Sequence, residues 1–312
     1  MMTDREDTTG PVMTVTRVTL PDASVTPVQC FAPEDDATRT SRPLVMIWPG
    51  LGVGGRYYRP IARYLAERGM PVAIGELRGQ GASTAVASRR HRWGYHHLAS
   101  EDYPMEIWAA KAELGLPADH PTVLLTHSMG GQVGGIFLSR PEARELNVRG
   151  MMGVGSGTPW YRTFSGSARI KFLLGSQFMG AYSQITGRWT DGPLDVIGYG
   201  RQSGMHLAEW AKLARTNSLE GLHDADRNYV LAMRATTVPV LLTRFRNDED
   251  CTWASAEKYG RLLPKTFARV EELDGDLGHN RWARDPQIVG DRLIRFCAQI
   301  DEGAAARERN GR

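Results

Sequence analysis

Three segments far apart in this 312-residue chain carry residue types that together could turn a hydroxyl into a nucleophile. The first is Val123-Leu124-Leu125-Thr126-His127-Ser128-Met129-Gly130-Gly131-Gln132, an apolar run that stops at a serine followed by small residues. A serine between a strand end and a helix start takes a strained turn that lifts its hydroxyl clear of the sheet. Small residues two before and two after it let strand and helix pass closely. Gly130 meets that need and Thr126 meets it in part. The helix N-terminus then aims unpaired N–H groups at the place where an oxyanion would form. A serine hydroxyl becomes reactive when a base removes its proton and a carboxylate orients that base. Downstream, the stretch Arg244 to Thr252 offers Asp248, Glu249 and Asp250, and the stretch Leu273 to Asn280 offers His279 between Gly278 and Asn280. Taken singly, each has an ordinary reading as a turn serine, a solvated loop charge or helix cap, or a structural histidine. Their chain order of serine, acid and histidine, each after an apolar strand, points instead to nucleophilic acyl chemistry. His127 is expected to pack beside the turn, its side chain aimed away from Ser128, and Cys251 has no histidine near it in sequence that would make it a second nucleophile.

The elements that must position these residues can be read from the apolar pattern. Met13 to Leu20 and Thr26 to Ala32 alternate as an antiparallel pair, with Pro33 to Ser41 as a loop. Leu44 to Trp48, Pro71 to Gly75, Val123 to Leu125 and Val148 to Val154 read as buried strands. Helical spacing over Arg56 to Arg68, over Glu101 to Leu114 and after Ser128 separates them. Ser100 is placed to cap the second helix, and Met105, Ile107, Trp108 and Ala112 are placed on its buried side. This alternation specifies a mostly parallel sheet with right-handed crossovers. The rhythm breaks from Gly155 to Ala235, a glycine-rich stretch with Trp160, Tyr161, Phe164, Phe172, Phe178, Tyr182, Trp189, Tyr199 and Trp210. A connection this long is expected to form an inserted, mainly helical cap. Strand and helix patterns resume from Val238 to Ile300. The domain reading is therefore a core of residues 1–154 and 236–301, a cap of 155–235, and a charged, disordered tail of 302–312.

Composition narrows the partners. Charged residues are 23%, hydrophobic ones 41%, and the net charge of +3 lies in no long basic run, so nucleic acid is not expected as a partner. Cys30, Cys251 and Cys297 are odd in number and widely spaced, which argues against a disulfide framework and a zinc site. No metal and no cofactor are expected. Met1 to Gly10 is polar and acidic, and no apolar run approaches the roughly 20 residues that span a bilayer. The expectation is a cytoplasmic protein with no stable membrane insertion.

Four segments together resemble the α/β-hydrolase superfamily, in the branch that includes monoacylglycerol lipases and serine aminopeptidase-like, poorly characterised predicted hydrolases. They are Trp48-Pro49-Gly50-Leu51-Gly52, Glu76-Leu77-Arg78-Gly79-Gln80-Gly81-Ala82-Ser83, His127-Ser128-Met129-Gly130-Gly131 and Leu277-Gly278-His279. The resemblance covers nearly the whole ordered length and implies an α/β fold with a mostly parallel sheet flanked by helices and an inserted cap. It implies Ser128 as nucleophile, His279 as base, Asp250 as the acid with Asp248 as alternative, and the backbone N–H groups of Leu51 and Met129 as an oxyanion hole. Glu76 stands where such enzymes have aspartate, Thr126 where they have glycine, and Trp48-Pro49 replaces the common His-Gly entry, a change expected to reshape the pocket wall.

The implied activity is cleavage of a carboxylic ester, thioester or amide through an acyl-enzyme, on a small, partly apolar substrate. An acyltransferase using the same acyl-enzyme, or a noncatalytic ligand-binding protein on this fold, are the alternatives.

Overall fold

The computed structural model describes residues 11–191, 195, 200–265 and 267–310. Tyr199 lies outside them. Eight strands form one sheet in the order β1-β2-β4-β3-β5-β6-β7-β8: β1 Val12–Thr19, β2 Val25–Ala32, β3 Leu44–Trp48, β4 Val72–Ile74, β5 Thr122–His127, β6 Val148–Val154, β7 Val240–Phe245 and β8 Ala268–Leu273. β1 and β2 pair antiparallel, as does β2 with β4, and every pairing from β4 to β8 is parallel.

The period-2 geometry of a strand sends alternate residues to opposite faces. Val45 and Ile47 of β3 join Ile61, Leu65, Val289 and Phe296 in one core, packed under the helices Arg59–Ala66 and Gln287–Asn310. Leu44, Met46 and Trp48 face the other core, with Ile107, Ile136, Phe137 and Tyr259 from the helices Tyr103–Glu113, Met129–Leu138 and Trp253–Gly260. Both faces are covered, which is why the central strands read as unbroken apolar runs.

Several local expectations are corrected. Helical structure begins at Tyr95, in a turn Tyr95–His97 followed by a wide turn Leu98–Asp102, so Ser100 lies inside it and is not a cap. Ile107 is buried there, but Trp108 and Ala112 are exposed. Asp36–Ser41 is a short helix in place of a loop, because Asp35 caps it by accepting from the N–H groups of Ala37 and Thr38. The final helix runs through Asn310, where a disordered tail is expected from residue 302. The alanines at 304–306 are the strongest helix formers and carry it on. Between β6 and β7 the chain is mainly helical, including Gly166–Ile170, Lys171–Gly175, Ser176–Thr186, Gly204–Thr216 and Tyr229–Arg234. Among the described residues no helix is long and apolar enough to cross a membrane.

Candidate active site

The C-terminal ends of β3, β5, β6 and β7 and the loop after β8 converge on one cleft, the place where parallel α/β sheets bind ligands. Ser128 sits between β5 and the helix Met129–Leu138 with φ 51° and ψ −121°. This strained turn is held because strand, helix and the β3 loop are wedged together. A side chain at Gly130 would lie 2.5 Å from the Pro49 carbonyl oxygen, and one at Gly131 3.0 Å from Thr126 Oγ1, so the glycines that follow the serine also make room for the threonine that precedes it.

His279 Nε2 lies 2.9 Å from Ser128 Oγ, and its Nδ1 lies 2.9 and 3.0 Å from the two carboxylate oxygens of Asp248. A carboxylate only accepts, so Nδ1 carries the proton and Nε2 is free to accept from the serine hydroxyl. Burial pushes the imidazole's pKa down, and the hydrogen bond and charge of Asp248, followed by the charge of Asp250, more than reverse this, leaving it above the ordinary histidine value. Asp248 is itself buried, and its Oδ1 accepts from the N–H groups of Asp250 and Cys251, which lock the carboxylate in the turn after β7.

Of the two acids named from the sequence, the structure brings Asp248, the alternative, to His279. Asp250 is not within hydrogen-bonding reach of His279. It is 44% exposed at the rim of the cleft and paired at 3.0 Å with Lys171, whose side chain is 65% exposed. Counting back from Thr252, which does cap the helix Trp253–Gly260, favours Asp250. The backbone instead wraps around the carboxylate three residues beyond the end of β7. Cys251 is buried, and burial pushes its thiol pKa up, which disfavours the nucleophilic thiolate.

The loop Gly50–Val53 is braced from the segment that follows β4. Gln80 accepts from Gly52 N–H through Oε1 and donates to the carbonyls of Gly50 and Val53 through Nε2. Glu76, the longer replacement for aspartate, accepts from the N–H groups of Gly55 and Ala82. Gly50 N–H donates to Tyr58 Oη. Among the described residues no hydrogen bond engages the N–H of Leu51 or of Met129, and both residues line the cleft beside Ser128. Trp48 is not part of the wall. It is fully buried, stacked 3.4 Å from the Tyr103 ring, and donates from Nε1 to Glu106, because the alternation of β3 turns it into the core.

Gly155, Tyr58 and Trp282 carry no clear mark in the sequence, and His127 is marked only by its place beside the turn. Gly155, at φ 60° just past β6, lies beneath the histidine: a Cβ there would meet the His279 ring at 2.9 Å and Asp248 Oδ2 at 3.1 Å. His127 Nε2 is 2.9 Å from the His279 carbonyl, so it is the protonated nitrogen, and its Nδ1 accepts from Tyr58 Oη at 2.6 Å. Burial, with the neighbouring His279, holds the His127 pKa well below the ordinary histidine value. Trp282 Nε1 donates to the same carbonyl at 3.0 Å. Tyr58 and His127 therefore connect the Gly50 turn to the backbone of His279 through a fixed tautomer. Tyr58→Phe leaves the Gly50 N–H and His127 Nδ1 buried without partners. It is expected to lower unfolding free energy in urea by about 1–3 kcal/mol and to slow reaction at Ser128. Unchanged values of both would show that the link positions nothing.

The cleft encloses about 230 Å³. Leu51, Val53, Met129, Phe172 and Trp210 supply apolar lining, while Gln132, Thr158 and Asn280 supply polar groups. Phe172 stacks on Phe164 at 4.0 Å and leans on Trp210 at 6.4 Å.

Comparison with known proteins gives a consistent fold. Residues 43–168 match the model of a family described as alpha/beta hydrolase fold. A search of curated protein sequences finds no match. Among solved structures, the chain is similar to a haloalkane dehalogenase loop variant from Bradyrhizobium elkanii, with a TM-score of 0.60 and 17% identity over 95% of this chain and 100% of that one. It is similar to an esterase from Exiguobacterium antarcticum, with a TM-score of 0.58 and 16% identity over 91% and 100% of the two chains. It is also similar to a thioesterase domain from the curacin biosynthetic pathway, with a TM-score of 0.53 and 15% identity over 93% and 99%.

Proposed function

We propose that this chain, a member of the α/β-hydrolase superfamily, is a serine hydrolase that cleaves a carboxylic ester or thioester through an acyl-enzyme. The observation that carries the reading is the continuous hydrogen-bonded series from Ser128 Oγ through His279 to Asp248, opening on a cleft. Ser128 Oγ attacks the acyl carbonyl while His279 Nε2 takes its proton. Asp248 holds the imidazole in the required tautomer and stabilises its charged form. The N–H groups of Leu51 and Met129 receive the negative oxygen of the tetrahedral intermediate, the second reinforced by the N-terminus of a buried helix. The imidazolium then protonates the leaving group, and water activated by His279 releases the acid.

Residues 155–235 act as a cap on a core of 1–154 and 236–301, a reading supported by Phe172 and Trp210 in the wall of the cleft. A cleft of this size is below the range of about 300–1,000 Å³ usual for drug-sized ligands, which favours a compact acyl group. An esterase and a thioesterase domain among the similar structures support the same chemical class.

Labelling by a fluorophosphonate probe tests the reading. The wild-type chain should react at Ser128, identified by mass spectrometry of the adduct. The rate should fall on acidification, because only the neutral imidazole accepts the serine proton. Since the pKa of His279 is raised, the acidic limb should centre above pH 6.5. Absence of labelling at Ser128 would favour a ligand-binding role, and a limb centred below pH 6.5 would mean that Asp248 does not control the base.

A further inference from the structure

The helical stretch Gly166–Ile170, Lys171–Gly175 and Ser176–Thr186 presents large apolar side chains to solvent as well as to the core. Its inward face carries Phe172, Ser176, Met179, Gly180 and Ser183, all buried. Its outward face carries Ile170, Leu174, Phe178 and Ile185, exposed at 60, 63, 65 and 67%, with Tyr182 at 39%. Large apolar side chains ordinarily form the inner stripe and polar ones the outer. Here they recur once per turn along the solvent side, as a continuous band and not as scattered single residues.

The chain that flanks this band is rich in basic residues. From Leu146 to Thr190 the sequence contains no aspartate or glutamate, while Arg162, Arg169, Lys171 and Arg188 fall within it. At the far end of the helix, Arg89 donates to the Ile185 carbonyl, which brings the exposed Arg89-Arg90-His91-Arg92 segment alongside, and that segment lies in an acid-free stretch from Leu77 to Ser100. Two of these cations have acidic partners just outside that stretch or farther along the chain: Arg188 lies 3.9 Å from Asp191, three residues on, and Lys171 pairs with Asp250. No such ion pair involves Arg169, Arg90 or Arg92 among the described residues.

We propose that this outer helix face docks on the surface of an anionic lipid bilayer, lying in the interface plane with its apolar band among the acyl chains and its flanking arginines on the headgroups. An apolar helix face bordered by basic residues has the chemistry of an in-plane membrane helix. A second copy of this chain fits less well, because a self-complementary pairing of the same face would set cation against cation. The docking does not depend on the chemistry proposed for Ser128, and the two fail separately.

The test is sedimentation of the full chain with vesicles of phosphatidylglycerol and, separately, of phosphatidylcholine. The wild type should partition onto phosphatidylglycerol at least roughly tenfold more strongly, with the preference shrinking in high salt. Leu174→Ser with Phe178→Ser should reduce binding to phosphatidylglycerol about tenfold or more, since it removes two apolar anchors. Arg90→Glu with Arg169→Glu should weaken the same binding and leave any residual binding to phosphatidylcholine unaltered. All four positions are exposed, so the circular dichroism spectrum and fluorophosphonate labelling at Ser128 should match the wild type. Failure of the wild type to bind phosphatidylglycerol vesicles, or equal binding by the serine variants, overturns the proposal. A lipid-free dimer that Leu174→Ser with Phe178→Ser converts to monomer would overturn it in favour of self-association.

Discussion

Ser128→Ala is expected to reduce turnover of small p-nitrophenyl esters by on the order of 10⁶ in kcat, leaving only the background of binding and oxyanion stabilisation. The physical case is local. Ser128 Oγ makes one hydrogen bond to another side chain, to His279 Nε2, and the residue is half-buried in the lining of the cleft and not in the core. Alanine keeps the Cβ and so meets the same backbone strain at φ 51° that serine meets, which means the fold and the melting temperature should stay close to wild type. The measurement is a pair of progress curves under matched conditions together with a thermal melt. Retention of more than about a tenth of wild-type turnover by a folded alanine variant would remove Ser128 from the role of nucleophile.

The second large effect separates two carboxylates two residues apart. Asp248→Asn puts an amide where a carboxylate accepts from His279 Nδ1–H and from two backbone N–H groups. The amide oxygen can keep the backbone donors, but its NH₂ then faces Nδ1–H, donor against donor. The imidazole is driven toward the other tautomer, whose Nε2–H cannot accept the serine proton. The expected loss is about 10⁴-fold in kcat. The acidic limb should also move to lower pH, since the Asp248 hydrogen bond and charge are the largest of the effects that raise the His279 pKa against burial. Asp250→Asn removes one partner of a surface pair with Lys171, an interaction worth about 0–1 kcal/mol, and activity should stay within roughly threefold of wild type. Comparable losses in the two variants, or a larger one at Asp250, would return the acid role to Asp250.

What could be read from the linear chain followed from short-range rules. The continuous apolar runs at Leu44–Trp48 and Val123–Leu125 are buried on both faces in the parallel sheet, and Met13 to Leu20 and Thr26 to Ala32 fall within one residue of the antiparallel pair Val12–Thr19 and Val25–Ala32. Ser128 and His279 were legible because each follows a strand at the edge where a parallel sheet collects its loops, so their convergence follows from the winding. The exposed side of Tyr103–Glu113 was not legible in the same way. Its apolar residues lie all round the helix, and periodicity cannot say which of Ile107 and Trp108 meets the sheet.

By itself, then, the sequence determined a mostly parallel α/β sheet and the strand ends at which a nucleophile and a base would stand, because strand period and connection handedness are local properties of the chain. The tertiary structure alone decided which acid reaches the histidine. In the turn after β7 the backbone N–H groups of Asp250 and Cys251 fold back onto Asp248, turning its carboxylate inward and leaving Asp250 to Lys171. It also decided that Trp48 belongs to the core and that Tyr58, His127 and Gly155 hold the His279 loop in place. Such assignments depend on contacts between residues up to 152 positions apart, such as that between His127 and His279. No periodicity within a segment encodes which partner a buried polar group will find, since that is settled only when the elements pack and every buried donor and acceptor must be satisfied at once.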